Sequence, residues 1–286
     1  MSTSSFLLLA AFLSWGWASA LAAGEPAAPA GAGASWGEPR DVEFVSALDG
    51  STQRYVELLP QGFDAKEPHA LMLALHGHGS DRWQYIRQDR GECKGARDTA
   101  LKYRMIFVSP DYRAPDSWMG PAAEADVLQI LAAQKRERRI AKVFLVGGSM
   151  GGAGVLTFTC LHPDQVDGAV SENGMANLVE YAGFQGSRTR TYGGDVKAKS
   201  EEYRKRSAEF FPERFTMPLA FTTGGKDTAV PPESVLRLSQ ALRKLNPKVL
   251  HLHRENGGHS TSYADTVEAL EFVIQAVLNP QEAGKK

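Results

Sequence analysis

Short apolar runs alternate with segments of helical periodicity along most of the chain. The runs are bounded by turn residues and lie at residues 70–75, 105–109, 143–146, 166–170, 218–223 and 249–253. Between and after them, apolar residues recur at helical spacing, as at Val235, Leu238 and Leu242 and again at Val267, Leu270 and Val273. Short apolar runs of this kind are typical of buried strands. Their alternation with helices predicts an α/β fold built on a mostly parallel central sheet.

The first apolar segments follow a different pattern. Residues 42–47 and 53–59 flank the turn sequence Leu48-Asp49-Gly50, and Asp-Gly between two strand-like segments is a strong hairpin signal. We therefore expect an antiparallel hairpin at the edge of the sheet.

The N-terminus has the composition of a targeting segment. An apolar stretch begins at residues 6–13 and passes into small residues that resemble a cleavage site near Ala20 to Ala23. We expect residues 1–23 to be a signal peptide and the protein to be secreted or periplasmic. No Lys or Arg precedes the apolar stretch, so an uncleaved anchor is the alternative. Residues 24–39 are rich in Ala, Gly and Pro, which predicts a flexible linker.

Length and charge limit the remaining possibilities. The chain has 286 residues, 43% of them hydrophobic, and a net charge of −1. This is enough to bury the core of one large domain, which we expect at residues 40–279, followed by a tail at 280–286. The balanced, scattered charges give no indication of a nucleic-acid partner or of a stable membrane partner.

The segment Gly147-Gly148-Ser149-Met150-Gly151-Gly152 follows directly on the apolar run 143–146. It matches the G-x-S-x-G nucleophile elbow in the strand-to-helix context that the motif needs. Glycines at 147 and 151 fit a turn so tight that a Cβ would collide with the neighbouring chain. Ser149 is therefore the candidate nucleophile. A Gly-rich turn without chemistry is the alternative on the pentapeptide alone.

A serine nucleophile needs a base and an acid, which in this architecture follow it in the order acid, then histidine. Asp227 lies in the loop after the run 218–223, and His259 lies in the loop after the run 249–253. Both positions are carboxyl ends of predicted strands, where an open α/β sheet collects its reactive groups. An ordinary turn aspartate and a loop histidine are the alternatives, but the order and spacing favour a Ser-Asp-His triad.

Acyl transfer also requires two N–H donors for the oxyanion. The residue after the nucleophile, Met150, supplies one, and we assign the other to His78 in the segment His76-Gly77-His78-Gly79 that follows the run 70–75. His76 with His78, and His251 with His253, are spaced as potential metal pairs. Backbone access to the oxyanion explains the first pair, and no third ligand lies near the second, so we expect no metal.

These four segments resemble the α/β-hydrolase superfamily, and more narrowly its secreted feruloyl esterases and acetylxylan esterases. The resemblance covers roughly residues 40–279. It implies the α/β-hydrolase fold with helices on both faces of the sheet. Similar domains occur in the prolyl oligopeptidase group of peptidases, which usually carry a large propeller domain for which this chain has no room.

The fold implied by the resemblance also bears on the two cysteines. Cys93 and Cys160 fall on helices that would cover opposite faces of the sheet. A disulfide requires a Cα separation of about 6 Å. We therefore expect two free thiols.

Two segments are candidates for substrate contact. Trp118 follows the strand at 105–109 and offers a large, rigid ring to a sugar or phenolic group, with a core anchor as the alternative. Residues 177–214 break the strand-helix pattern between the elbow and the acid loop. Such long excursions are usually functional or mobile, so a small lid over the site and a solvated surface excursion with one charged helix explain the pattern equally well.

The sequence thus predicts a secreted serine esterase that needs no cofactor. Its substrate would be a small-molecule or polysaccharide ester, with acyl groups on plant polysaccharides as one possibility. A small serine peptidase of the prolyl oligopeptidase type and a non-catalytic binding protein on the hydrolase scaffold are the alternatives. The intact Ser149, Asp227 and His259 argue against the binding protein, because binding alone would not require all three.

Overall fold

A computed structural model describes residues 34–279, and its core is one eight-stranded sheet. The strand order is β1-β2-β4-β3-β5-β6-β7-β8, and β2 runs antiparallel to both of its neighbours while the other pairings are parallel. The expected fold class is therefore confirmed. The strands are β1 (Arg40–Val45), β2 (Thr52–Leu58), β3 (His69–Leu75), β4 (Ile106–Pro110), β5 (Ile140–Gly148), β6 (Gly168–Glu172), β7 (Leu219–Gly224) and β8 (Val249–Arg254).

The predicted hairpin is formed by β1 and β2. Their register pairs Arg40 with Glu57 and Val45 with Thr52. Gly50 adopts a φ of 73°, the left-handed conformation that glycine tolerates best in such a turn. The hairpin places β1 at one edge of the sheet, as expected.

Helices cover both faces of the sheet. They are α1 (Gln84–Arg87), α2 (Gly91–Lys102), α3 (Pro121–Glu137), α4 (Met150–Leu161), α5 (Gln185–Tyr192), α6 (Ser200–Lys205), α7 (Glu233–Leu242) and α8 (Tyr263–Leu278). The apolar core on one face includes residues of α3, α4 and α7, whereas the core on the other face includes residues of α2 and α8. Strand β3 serves both, because Leu71 and Leu73 point into the first core and Ala70 and Met72 into the second.

The two cysteines lie in these separate cores. Cys93 on α2 and Cys160 on α4 are both buried and both free thiols. The expectation that no disulfide links them is confirmed.

The segment 177–214 contains α5, α6 and two short 3-10 turns, and two buried arginines hold it in place, Arg188 by bonds within the segment and Arg206 by bonds to the rest of the domain. Arg188 donates hydrogen bonds to the carbonyl oxygens of Leu178 and Tyr181, at 2.7 and 2.5 Å. Arg206 donates to the carbonyl oxygen of Met119 and to Glu124, at 2.8 and 2.5 Å. The segment is therefore packed rather than solvated throughout, and its movement as a lid stays a prediction.

The described residues include only part of the terminal segments predicted from the sequence. The expected signal peptide at 1–23 and the tail at 280–286 lie outside the described range. Within the expected linker, Trp36 forms an antiparallel bridge with Pro60, and the N–H of Gly37 donates to the carbonyl oxygen of Leu59 at 2.8 Å. The domain's contacts thus begin before residue 40. Between residues 34 and 279, no helix is both long enough and apolar enough to cross a bilayer.

Candidate active site

The tight turn predicted around Ser149 is present between β5 and α4. Ser149 has a φ of 59° and a ψ of −119°, a strained conformation for a residue with a side chain. A Cβ added to Gly151 would lie 1.9 Å from the carbonyl oxygen of Leu75, which explains the glycine there. The N–H of Ser149 donates to the carbonyl oxygen of Glu172 at 2.8 Å, so the end of β6 holds the turn in place.

Asp227, His259 and Ser149 lie in one hydrogen-bonded line. The Nδ1–H of His259 donates to Asp227 Oδ2 at 2.6 Å, and Ser149 Oγ lies 2.8 Å from His259 Nε2. Asp227 follows β7 and His259 follows β8, so two neighbouring parallel strands bring them to the edge of the sheet where β5 ends. The histidine side chain is 30% exposed and the aspartate only 1%. A buried carboxylate that fixes the histidine tautomer, with Nε2 facing a serine hydroxyl, is the geometry of nucleophilic acyl transfer.

Asp227 is held by donors that the sequence did not reveal. Its Oδ1 accepts the N–H groups of Ala229 and Val230, at 3.0 and 2.9 Å. Asn173 donates its side-chain amide to Asp227 Oδ2 at 3.4 Å and to the carbonyl oxygen of Gly258 at 3.3 Å. Asn173 therefore joins the acid loop to the histidine loop. Its position directly after β6 at a strand end is the one sequence signal that pointed to it.

The two predicted oxyanion donors are both close to Ser149: Met150 follows it in the chain, and His78 lines the same cavity as Ser149. Met150 is the first residue of α4, so its N–H has no acceptor within the helix. The flanking residues of His78 are fixed, because Gly77 N–H donates to Gln84 Oε1 and Gly79 N–H to the carbonyl oxygen of Pro115, each at 2.8 Å. Within residues 34–279, neither the His78 N–H nor the Met150 N–H has a protein acceptor. Their role at an oxyanion stays a prediction.

Trp118 belongs to a cluster of four rings, which we call the aromatic cluster: His78, Trp118, Tyr181 and Phe184. Trp118 is 1% exposed, and the ring centroids of Phe184 and Tyr181 lie 5.2 and 5.6 Å from its own. Phe184 is 40% exposed and lies 4.3 Å from the His78 ring. In this arrangement Trp118 matches the core-anchor alternative rather than the substrate contact favoured from sequence, because later residues cover it. Phe184 presents the accessible ring.

A cavity of about 300 Å³ opens beside Ser149 on the side of α1, α2 and the start of α8. Its lining is rich in polar groups, including the side chains of Gln88, Arg90, Glu92, Glu172, Ser260 and Thr261, and it includes His78 and His259. We call it the polar cavity. No single motif in the sequence indicated it, since its lining residues come from segments that are far apart in the chain.

The two carboxyl groups of the polar cavity are both buried but have different partners. Arg90 pairs with Glu92 at 2.5 Å, the arginine side chain being 53% exposed and the glutamate 7%. Glu172 accepts hydrogen bonds from Thr266 at 2.5 Å and from Tyr85 at 3.3 Å, and none of the arginines and lysines between residues 34 and 279 forms an ion pair with it. Burial raises the pKa of the Glu172 carboxyl to about 8, and the nearby Glu92 acts in the same direction. Glu172 is therefore mostly protonated at neutral pH.

The histidines considered as metal ligands are engaged in hydrogen bonds. His251 and His253 both contact Thr223 Oγ1, at 2.7 and 2.8 Å, and burial lowers the pKa of His251 to about 4. The ring nitrogens of His76 contact the carbonyl oxygens of Gly77 and Asp111. Across the described part of the chain, no group of three potential metal ligands comes together.

Comparison with known proteins supports the fold and the class of enzyme. A model of the prolyl oligopeptidase family matches residues 125–275. The fluorophosphonate-binding serine hydrolase F of Staphylococcus aureus is 19% identical, with a TM-score of 0.62 over 85% of this chain and 98% of that one. The esterase Pf2001 of Pyrococcus furiosus is 18% identical, with a TM-score of 0.55 over 86% of this chain and 88% of that one.

A longer peptidase shares the same fold. The acylaminoacyl peptidase of Pyrococcus horikoshii is 18% identical, with a TM-score of 0.61 over 82% of this chain. This chain spans only 40% of that peptidase. At these identities the structural likeness establishes the fold. The search of curated proteins found no matching relative.

Proposed function

The chain belongs to the prolyl oligopeptidase family, and we propose that this serine hydrolase is an esterase that cleaves carboxylic esters through an acyl-enzyme intermediate. The observation that carries the proposal is the line of hydrogen bonds from Asp227 through His259 to Ser149, at 2.6 and 2.8 Å. Each group in this line has the position that its step requires.

The reaction proceeds in two displacements. Ser149 Oγ attacks the ester carbonyl while His259 Nε2 takes its proton, and the tetrahedral intermediate collapses when His259 returns that proton to the alcohol oxygen. The alcohol leaves and the acyl group stays on Ser149. Water then repeats the sequence with His259 as base, which releases the carboxylic acid. Asp227 keeps the Nδ1–H of His259 in place throughout and stabilises the imidazolium when it forms.

The N–H groups of His78 and Met150 are assigned to the oxyanion of both intermediates. Support comes from the position of Met150 next to Ser149 in the chain, from the position of His78 in the same cavity lining, and from the lack of a protein acceptor for either N–H among residues 34–279. Such preorganised donors typically contribute about 10²–10³ in kcat each.

We further propose that the acyl groups are those carried by plant polysaccharides and that the enzyme is exported. The resemblance of the four motif segments to feruloyl and acetylxylan esterases supports the first point. The exposed ring of Phe184 beside His78 supports an aromatic or otherwise apolar acyl group lying against the aromatic cluster. The apolar N-terminal segment with its small residues supports export.

A serine peptidase is the second candidate, and the family match favours it. The test is a panel of p-nitrophenyl esters and aminoacyl p-nitroanilides, measured with the wild type and Ser149→Ala. An esterase turns over the esters with kcat/KM far above that for the anilides. Faster turnover of the anilides would contradict the esterase and establish the peptidase. Turnover of neither, in a folded protein, would favour a binding protein.

A further inference from the structure

The polar cavity and the aromatic cluster share only His78, and Ser149 and His259 line the polar cavity. In an ester, the group that receives the proton from His259 Nε2 is the alcohol oxygen. The polar cavity is lined by His259 and by Ser260 and Thr261, which follow it in the chain. The alcohol half of the substrate therefore departs toward the polar cavity.

The polar cavity offers hydrogen-bonding groups of every kind. Arg90 supplies donors only, the carboxylate of Glu92 supplies acceptors only, and a protonated Glu172 both donates and accepts. The hydroxyl group of Ser260 and the amide of Gln88 add to the set. A ligand that bears several hydroxyl groups satisfies such a mixture, because each hydroxyl both donates and accepts.

The charges of the polar cavity exclude strongly charged ligands. Arg90 and Glu92 neutralise one another at 2.5 Å, and the raised pKa of Glu172 leaves that carboxyl mostly uncharged at neutral pH. An ammonium group would need an unpaired carboxylate, and a carboxylate or phosphate would need an unpaired cation. A neutral ligand needs neither.

We propose that the polar cavity binds the alcohol half of the ester, and that this alcohol is a neutral sugar residue whose hydroxyl groups are bound by Arg90, Glu92 and Glu172. The inference rests on the esterase function proposed above and assigns that function a leaving group and its binding residues. The volume of about 300 Å³ lies at the lower end of small-molecule sites and suits a short sugar segment.

The test compares two esters of the same acid, an ethyl ester and an ester of a pyranose hydroxyl, with acetic acid in one pair and a hydroxycinnamic acid in the other. For each pair, the ratio of kcat/KM for the sugar ester to kcat/KM for the ethyl ester is the readout. We expect a wild-type ratio of about ten or more, and a fall of that ratio by about fivefold to tenfold in Arg90→Ala, which removes hydrogen bonds from a charged donor. The Arg90 side chain is more than half exposed, so this variant keeps its fold.

Arg87→Ala is the matched control. Arg87 is an exposed arginine three residues earlier that packs on Trp83 and does not line the polar cavity. Its ratio is expected to equal that of the wild type. Glu92→Gln removes the partner of Arg90 and is expected to lower the ratio as well, which provides a second variant.

The outcomes separate the two proposals. If the ethyl esters are hydrolysed but the wild-type ratio is near one, or if Arg90→Ala leaves the ratio unchanged, the sugar subsite is overturned and the esterase stands. If neither ester of either pair is hydrolysed, the esterase function fails and the subsite with it. A fall of the ratio in Arg90→Ala but not in Arg87→Ala supports the subsite.

Discussion

The polar cavity and the aromatic cluster flank the same serine but differ in almost every physical respect. The polar cavity is built from strand ends and helix starts, with Glu172 buried at the end of β6 and Glu92 in the first turn of α2. The aromatic cluster is built from loops, and Phe184 at its surface is 40% exposed. Only His78 belongs to both.

The difference indicates a division of tasks. Hydrogen-bonding groups recognise a substrate by the number and position of its polar atoms, whereas a ring surface recognises it by area and shape. The chemistry at Ser149 is common to both halves of the ester. Changes at the reacting centre should therefore affect all substrates alike. Changes in the polar cavity or in the aromatic cluster, the two flanks of this centre, should affect the selectivity between substrates.

The largest expected effect is that of Ser149→Ala. Removal of the nucleophile should lower kcat by about 10⁴ to 10⁶ for every ester, whichever alcohol or acyl group it carries. Steady-state kinetics on the substrate pairs above measures this, with the melting temperature as the control for folding. More than a tenth of the wild-type activity in a folded variant would mean that another residue is the nucleophile.

Asp227→Asn should lower kcat by roughly 10³ to 10⁴, because an amide favours the wrong tautomer of His259. The loss should again be the same for all substrates, since Asp227 acts on the reaction through His259, which serves every ester. The same kinetic measurements apply. Near-normal activity in this variant would show that another carboxylate orients His259. A loss confined to one substrate pair would contradict the view that the reacting centre serves all substrates and that only the flanks determine selectivity.

Glu172→Gln tests the electrostatics of the polar cavity through stability. The unfolded carboxyl titrates near its ordinary pKa of about 4.3, whereas burial raises the folded pKa to about 8. Between these pH values the folded protein keeps a proton that the unfolded chain has released. The free energy of unfolding of the wild type should therefore fall as pH rises through this window, by up to about 1.4 kcal/mol per pH unit.

Glutamine carries no such proton, so the variant should lose less stability between pH 5 and pH 8. Urea unfolding of both proteins at the two pH values measures the difference. The free energy of unfolding of Glu172→Gln, relative to that of the wild type, should therefore be higher at pH 8 than at pH 5. Parallel pH dependences would show that Glu172 is not held protonated in the folded state.

The smallest effect is expected on the other flank. Phe184→Ala removes the exposed ring of the aromatic cluster and should lower the preference for a hydroxycinnamoyl over an acetyl ester by about threefold to tenfold. Val179→Ala, which shortens another exposed apolar side chain of the same segment, is the matched control and should leave the preference unchanged. An equal loss of kcat/KM for the hydroxycinnamoyl and the acetyl ester in Phe184→Ala would contradict an acyl subsite at this cluster.

The same contrast shows how much the sequence alone could predict. Ser149, Asp227 and His259 were found because each follows a recognisable strand and because their order along the chain is fixed by the fold. These are local rules. The sheet and the N-terminal hairpin were predicted on similar grounds, from periodicity and turn residues, whereas the free cysteines were predicted from the fold that the resemblance implies.

The flanks were not predicted because they depend on packing between distant segments. Glu172 and Glu92 lie 80 residues apart in sequence and become one wall of the polar cavity only when α2 and β6 meet. Trp118 was favoured as a substrate contact because it offers a large, rigid ring after a strand end. Tyr181 and Phe184, more than 60 residues later, cover it in the folded protein.

The proposed chemistry depends most directly on a single activated serine at position 149. Treatment with a fluorophosphonate probe followed by intact mass measurement and peptide mapping tests this without any assumption about the substrate, because such reagents modify nucleophilic serines covalently. We predict one adduct per chain, on the peptide that contains Ser149, and no adduct in Ser149→Ala. A folded wild type that stays unmodified, or an adduct that persists in Ser149→Ala, would contradict the account.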